Sequence, residues 1–146
     1  MIKTFIILLI SLSLLNSCQN KVYAPNTFIV RRYNSLISGA YEDIAKVNFL
    51  KETQNLIVYL EAGYQVNSEY VDLMTMYFDE HYGQMTNIYG EPSDIDGNGK
   101  IIILLIDMNG NTAGNINAGD LVYGKRNNAE IIYLDIELFS RDFYHN

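Results

Sequence analysis

The stretch DIDGNGKIIILLI, residues 94–106, is the strongest indication of the fold, because an acidic, glycine-rich turn leads directly into six apolar residues. An unbroken apolar run of this kind between turn signals is typical of a central strand that is buried on both faces of a sheet. Asp, Asn and Gly favour tight turns, so the turn and the strand are predicted as one unit. The unit indicates a structure and does not by itself state a function.

Upstream of this turn, the sequence predicts one long amphipathic helix over about residues 67–89. At 100° per residue, six apolar or aromatic side chains fall within one arc of about 80°. They are Val71, Met74, Phe78, Tyr82, Met85 and Tyr89. Asn67 or Ser68 is expected to cap the helix start, and Gly90 with Pro92 is expected to end it.

The remaining periodic segments predict strands that surround the helix. The expected strands lie at residues 27–33, 45–53, 56–61, 121–124 and 130–136, and a long surface loop is expected at 107–120. Gln54-Asn55 predicts a hairpin turn. The sequence therefore predicts an α+β fold in which one long helix backs a mixed or antiparallel sheet, with the final sheet edge exposed.

The composition describes one acidic globular domain. Of the 146 residues, 49% are hydrophobic, which is ordinary for a packed domain. The 10 basic and 17 acidic residues give a formal net charge of −7. Because the sequence also lacks a basic stripe, we expect repulsion from nucleic acid and exclude nucleic-acid binding.

The N-terminus predicts export and a lipid anchor. Residues 1–17 hold an early positive charge and an apolar run too short to span a membrane, as in a signal peptide. The next residues complete LNSC at 15–18, which resembles the lipobox of bacterial lipoproteins. The resemblance implies cleavage before Cys18, its acylation and anchoring to a membrane of the bacterial cell envelope. We expect residues 18–40 to form the lipidated tether and the first strand. The alternative is an ordinary secretory signal with a chance cysteine.

The acidic turn carries the clearest candidate site, a calcium-binding loop. Its residues follow the pattern D-x-[DN]-x-[DN]-G, in which alternate positions point hard oxygen ligands at one cation. The candidate ligands are Asp94, Asp96, Asn98 and the carbonyl of Lys100. The alternative is a helix-to-strand turn that is built from ordinary turn formers.

This loop departs from an EF-hand in two respects. Leu105 occupies the position of the bidentate Glu, and a strand follows where a helix is required. Glu91, Asp120 or water can complete the coordination shell, and we expect weak affinity.

The sequence predicts no zinc site and no catalytic residue. His81 and His145 are the only histidines, and neither belongs to an H-E-x-x-H pattern. We interpret His81 as a partly buried packing residue at the edge of the apolar arc. Cys18, the only cysteine, is expected to be acylated and therefore unable to act as a nucleophile.

Four segments, taken in their order along the chain, carry a resemblance to a known protein family. They are YFDEHY at 77–82, YGEPSDIDGNGK at 89–100, AGDL at 118–121 and NAEIIYLD at 128–135. Together they resemble the hyicolysin family of secreted zinc metallopeptidases, over roughly residues 41–139. The resemblance implies that this region forms the upstream sheet and backing helix of such an enzyme. It also implies that the zinc-binding H-E-x-x-H helix follows the strand at 131–135. That motif is absent, so no zinc ligand or general base is carried over.

Two functions are predicted from these features. The first is an exported lipoprotein equivalent to the N-terminal part of a hyicolysin-like metallopeptidase, with residues 41–146 as a partial, truncated and catalytically inactive domain. The alternative is a small calcium-stabilised surface lipoprotein that binds a protein partner. A third possibility is the first half of an enzyme that a separate chain completes.

Overall fold

The computed structural model describes residues 26–34, 39–109 and 112–140. These residues form a curled, mixed six-stranded sheet with one main helix, which confirms the predicted α+β fold. The predicted signal peptide, Cys18 and most of the tether lie outside the described residues. Within the described part, no helix is both long enough and apolar enough to cross a bilayer.

The strand order across the sheet is β1-β2-β3-β4-β6-β5. The strands are β1 Thr27–Asn34, β2 Gly39–Glu52, β3 Leu56–Glu61, β4 Ile101–Ile106, β5 Gly114–Ile116 and β6 Ile131–Asp135. The helices are α1 Ser68–Tyr89, a 3-10 helix at Ala118–Leu121 and the short α2 Glu137–Ser140. The three strands β3, β4 and β6 are parallel neighbours, whereas β1, β2 and β5 pair antiparallel to their neighbours.

Strand β4 is the central, doubly buried strand that the sequence predicts. Ile102, Leu104 and Ile106 belong to one core cluster, together with residues of β1, β2 and β6. Ile103 and Leu105 point to the other face, where they join the core that α1 covers. Burial on both faces explains why the apolar run of β4 shows no alternation with polar residues.

Helix α1 begins and ends as predicted. The Asn67 side chain caps it by accepting a hydrogen bond from the Glu69 backbone N–H at 2.9 Å. Gly90 ends it with a φ of +88°, a backbone conformation that glycine adopts without strain. Val71 is buried, but Tyr89 is 85% exposed, so the predicted apolar arc is wrong at its last member. The physical reason is that the last turn of α1 borders an open cavity and does not cover the sheet.

The segment after β4 differs from the prediction. The predicted strand at 121–124 is absent, because Leu121 ends a 3-10 helix and Val122 begins a turn. The edge strand is instead Gly114–Ile116, inside the predicted loop. It lies so close to β6 that a Cβ on Gly114 would be 2.8 Å from the Tyr133 carbonyl oxygen. This strand depends on pairing with β6, and local alternation therefore does not reveal it.

Buried polar contacts attach the segment after β5 to the sheet. The Asp120 carboxylate, 1% exposed, accepts hydrogen bonds from Tyr133 Oη at 2.7 Å, Arg126 Nε at 3.1 Å and Asn127 Nδ2 at 2.9 Å. Asn127 Oδ1 in turn accepts from the Ile29 N–H of β1 at 2.8 Å. Burial, followed by the bond to Asp120, raises the pKa of Tyr133. The contacts give part of the long predicted loop a structural role.

Candidate functional site

The connection between α1 and β4 is a tight loop whose backbone depends on glycine and aspartate. Asp94, Gly97 and Gly99 all have positive φ values, +47°, +72° and +68°. Glycine adopts this region freely, and Asp is one of the few other residues that tolerates it. Asp94 Oδ1 accepts a hydrogen bond from the Gly99 N–H at 2.8 Å, which closes the loop.

The second half of the loop is held by its own side chains. Asp96 Oδ1 accepts from the Asn98 N–H at 3.2 Å, and Asn98 Oδ1 accepts from the Lys100 N–H at 2.6 Å. The Lys100 ammonium group forms an ion pair with Glu52 at 3.2 Å and not with Asp94 or Asp96. The hydrogen bonds that close the loop therefore do not use the Lys100 side chain.

A third carboxylate, that of Glu130, enters the loop from the other side. Glu130 immediately precedes β6, and its carbonyl accepts from the Ile102 N–H of β4 at 2.8 Å. The parallel pairing of β4 with β6 places the residues that precede these two strands at the same end of the sheet. Glu130 Oε1 accepts hydrogen bonds from Ser93 Oγ at 2.5 Å and from the Ile95 N–H at 2.9 Å.

The three carboxylates form one compact cluster. One oxygen each of Asp94, Asp96 and Glu130 lies within 4.8 Å of the other two. Asp94 and Asp96 are exposed, whereas Glu130 is only 7% exposed. Although Asp96 is exposed, the loop around its carboxylate removes part of its hydration and raises its pKa, and the nearby charges of Glu130 and Asp94 raise it further. The site concentrates negative charge at the end of the sheet where β4 and β6 begin.

One oxygen in the cluster has no partner. Among the described residues, Glu130 Oε2 is the one buried side-chain oxygen or nitrogen that forms no hydrogen bond. Buried polar atoms in folded proteins are nearly always paired, because an unpaired one loses its hydration without compensation. The observation makes Glu130 the most unusual residue of the candidate site.

The structure brings two of the predicted calcium ligands, Asp94 and Asp96, together with Glu130, which is not among the predicted ligands. The two carboxylates proposed to complete the shell have other partners. Glu91 accepts from Tyr82 Oη at 3.3 Å, and Asp120 belongs to the buried polar contacts of β6. Glu130 lies 35 residues beyond Ile95, and only the pairing of β4 with β6 reveals that it faces the loop.

His81 differs from its predicted environment. The side chain is exposed on α1, and its Nδ1 lies 2.9 Å from the Tyr77 carbonyl one turn earlier. The interpretation as a partly buried packing residue is wrong, because position 81 lies on the solvent side of the helix. In the part of the chain that the structure describes, the acidic cluster is the one grouping of three or more potential metal-ligating side chains. His145 lies outside that part.

A second charged cluster lies at the opposite end of the parallel strands. Arg32, 9% exposed, forms ion pairs with Asp43 at 2.9 Å and with Glu61, and donates to the Asp107 carbonyl at 2.7 Å. The hydrogen bond from Arg32 holds the pKa of Asp43 below its usual value. Because the guanidinium is paired on both sides, the cluster has a structural explanation.

Comparison of the chain with protein-family models found no match, and comparison with curated proteins found no match.

Proposed function

We propose that this chain is an exported bacterial lipoprotein whose folded domain is the counterpart of the upstream sheet and backing helix of hyicolysin-like metallopeptidases. The lipobox-like sequence at 15–18 supports export and anchoring through Cys18. The folded domain is then held at a membrane surface of the cell envelope by its acylated N-terminus.

The observation that carries the proposal is the order and direction of the elements around the segment at 89–100. Helix α1 connects the parallel neighbours β3 and β4 and packs on one face of the sheet. The hyicolysin-like block YGEPSDIDGNGK forms the connection from α1 to β4. Strand β6, which the resemblance places before a zinc-binding helix, pairs parallel to β4. A sheet that is backed by one long helix, with the block at 89–100 directly after that helix, is the arrangement that the resemblance implies.

The proposal assigns no catalytic role to any residue of this chain. None of the 146 residues forms part of an H-E-x-x-H motif, which supplies two zinc ligands and the general base in such enzymes. We therefore expect the purified chain to bind no stoichiometric zinc and to hydrolyse no casein. Metal analysis and a casein assay with added zinc test this. Either bound zinc at one equivalent or chelator-sensitive hydrolysis contradicts the proposal.

Acylation is tested independently of the fold. Cells that express the full chain are grown with radiolabelled palmitate, and Cys18→Ser is compared with Ser17→Ala. The natural chain and Ser17→Ala should both carry the label, because the lipobox tolerates a small residue before the cysteine. Cys18→Ser should carry none. Equal labelling of all three chains, or of none, rejects the lipid anchor.

A second candidate function is a small surface module that binds a partner, and an apolar cavity favours it. A cavity of about 310 Å³ lies beside Glu130 and is lined mainly by apolar side chains, including Ile101, Ile116 and Ile132. Ile116, on the edge strand β5, is 77% exposed. This function requires a cooperatively folded protein, so a calorimetric scan without a single cooperative transition counts against it.

A further inference from the structure

We propose that Glu130 is the buried anchor of a calcium site that Asp94 and Asp96 complete. The site goes beyond the proposed lipoprotein function, which requires no metal. It joins two parts of the chain: the connection from α1 to β4 and the residue at which β6 begins.

The two carboxylate oxygens of Glu130 differ in their surroundings. Oε1 accepts hydrogen bonds from Ser93 and from the Ile95 backbone, and these contacts fix the carboxylate in position. Oε2 is buried and receives no donor. A buried carboxylate oxygen without a donor is costly unless a cation or a proton is bound to it. The fold therefore holds a buried carboxylate oxygen that receives no hydrogen bond from any described residue.

The charged side chains of the described residues do not neutralise Glu130. The ion pairs of the described residues all use other carboxylates, so no Lys or Arg neutralises this one. Carboxylate oxygens of Asp94 and Asp96, which carry the same negative charge, lie within 4.8 Å of a Glu130 oxygen. Three carboxylates at such spacing repel one another, and a divalent cation between them converts this repulsion into attraction.

The kind and number of ligands favour calcium over magnesium, because Mg²⁺ demands near-ideal octahedral geometry and is usually held by one or two carboxylates. Two oxygens bound to one Ca²⁺ at about 2.3–2.6 Å can be separated by up to about 5 Å. Mg²⁺ at about 2.0–2.1 Å allows only about 4 Å. The three oxygens lie within 4.8 Å of one another, a spacing that small side-chain adjustments bring to one Ca²⁺. Carboxylates are hard ligands, which disfavours soft metals.

The exposure of two ligands predicts modest affinity. Asp94 and Asp96 are open to solvent, so water completes much of the coordination shell. Calcium sites in extracellular modules typically have Kd values of about 10⁻⁴–10⁻³ M, and we expect this range here. Calcium that binds the folded chain but not the unfolded chain raises the melting temperature. We expect this selectivity because the unfolded chain no longer holds Glu130 beside the loop.

The test is titration of the full chain, purified in detergent and freed of metal with a chelator. Isothermal titration calorimetry and differential scanning calorimetry are run with CaCl₂ and, for comparison, MgCl₂. Glu130→Gln keeps the shape and the Oε1 acceptor but removes the charge. The matched control is Glu80→Gln, which changes an exposed glutamate on α1. Asp96→Asn, at an exposed position, provides a second variant in case the buried substitution impairs folding.

The natural chain and Glu80→Gln should bind one Ca²⁺ and show the same rise in melting temperature, with a smaller effect of Mg²⁺. Glu130→Gln and Asp96→Asn should each weaken calcium binding by about tenfold or more, since ligand charge sets affinity. Without metal, Glu130→Gln should melt no lower than the natural chain, because it removes an unpaired buried charge. An absence of calcium heat and of a calcium-dependent rise in melting temperature in the natural chain overturns the site. Unchanged calcium affinity in a folded Glu130→Gln variant also overturns it, whatever Asp96→Asn does.

Discussion

At the residue scale, Tyr133 and Asp120 show how one buried hydrogen bond attaches a loop to a sheet. The two groups lie 2.7 Å apart, and both are almost fully buried. Tyr133→Phe removes the donor and leaves a buried carboxylate with fewer partners. We expect a loss of about 1–3 kcal/mol in the free energy of unfolding. Urea denaturation measures it, with Tyr89→Phe, at an 85% exposed position, as the control. A loss below a few tenths of a kcal/mol contradicts the assigned role.

The same pair predicts a pH dependence at alkaline pH. Because the folded-state pKa of Tyr133 is raised above the ordinary value of 10.0, the folded protein keeps this proton where the unfolded chain loses it. Its contribution is therefore fully present below pH 10 and declines as the pH rises further. Tyr133→Phe should flatten the decline in stability above pH 10, which denaturation at a series of pH values measures. An unchanged slope contradicts the prediction.

At the element scale, two glycines with opposite surroundings provide a matched test of the edge strand. A Cβ at Gly114 in β5 would lie 2.8 Å from the Tyr133 carbonyl oxygen and from Leu134 Cδ2. A Cβ at Gly83 in α1 meets nothing within 4 Å. Gly114→Ala should destabilise the fold by about 1–3 kcal/mol through overpacking. Gly83→Ala should stabilise it by about 0.5–1 kcal/mol, because alanine favours helices.

Thermal and urea denaturation of both glycine variants measure these opposite signs. If Gly114→Ala is neutral, β5 does not pair with β6 as closely as described. If Gly83→Ala destabilises the chain, the helix face at position 83 is covered by something that the described residues do not show.

The elements that the sequence predicts well are those with a local signal. Strand β4 has an unbroken apolar run, and α1 has both a helical period and recognisable caps. Strand β5 has three residues with no apolar alternation, and it exists because β6 provides hydrogen-bond partners. Tyr89 is exposed for a similar reason. The helical period is a local signal, and it does not show where the sheet that the helix covers ends.

At the scale of the whole molecule, the candidate site depends on contacts distant in sequence. The loop pattern identifies Asp94 and Asp96, because the spacing of carboxylates in a tight turn is local information. Glu130 could not be found in this way, because its place is set by the parallel pairing of β4 with β6. That parallel pairing requires a long connection between β4 and β6, which here contains β5 and the 3-10 helix.

This topology also connects the calcium proposal with stability. The loop at 91–100 joins α1 to β4, and Glu130 begins β6, so one ion would join the connections into two central strands. A site in this position is expected to stabilise the sheet as a unit. The −7 formal charge of the chain adds a general attraction for divalent cations. Binding of one equivalent at the cluster therefore distinguishes the specific site from weak surface association.

The most direct measurement is a crystal structure of the chain grown with millimolar CaCl₂. We expect one calcium ion about 2.3–2.6 Å from a carboxylate oxygen of each of Asp94, Asp96 and Glu130, with water in the remaining positions. Glu130 Oε2 should then no longer be unpaired. A structure with no ion at the cluster, in which Glu130 Oε2 contacts a water molecule or another carboxyl group, would rule out the calcium site.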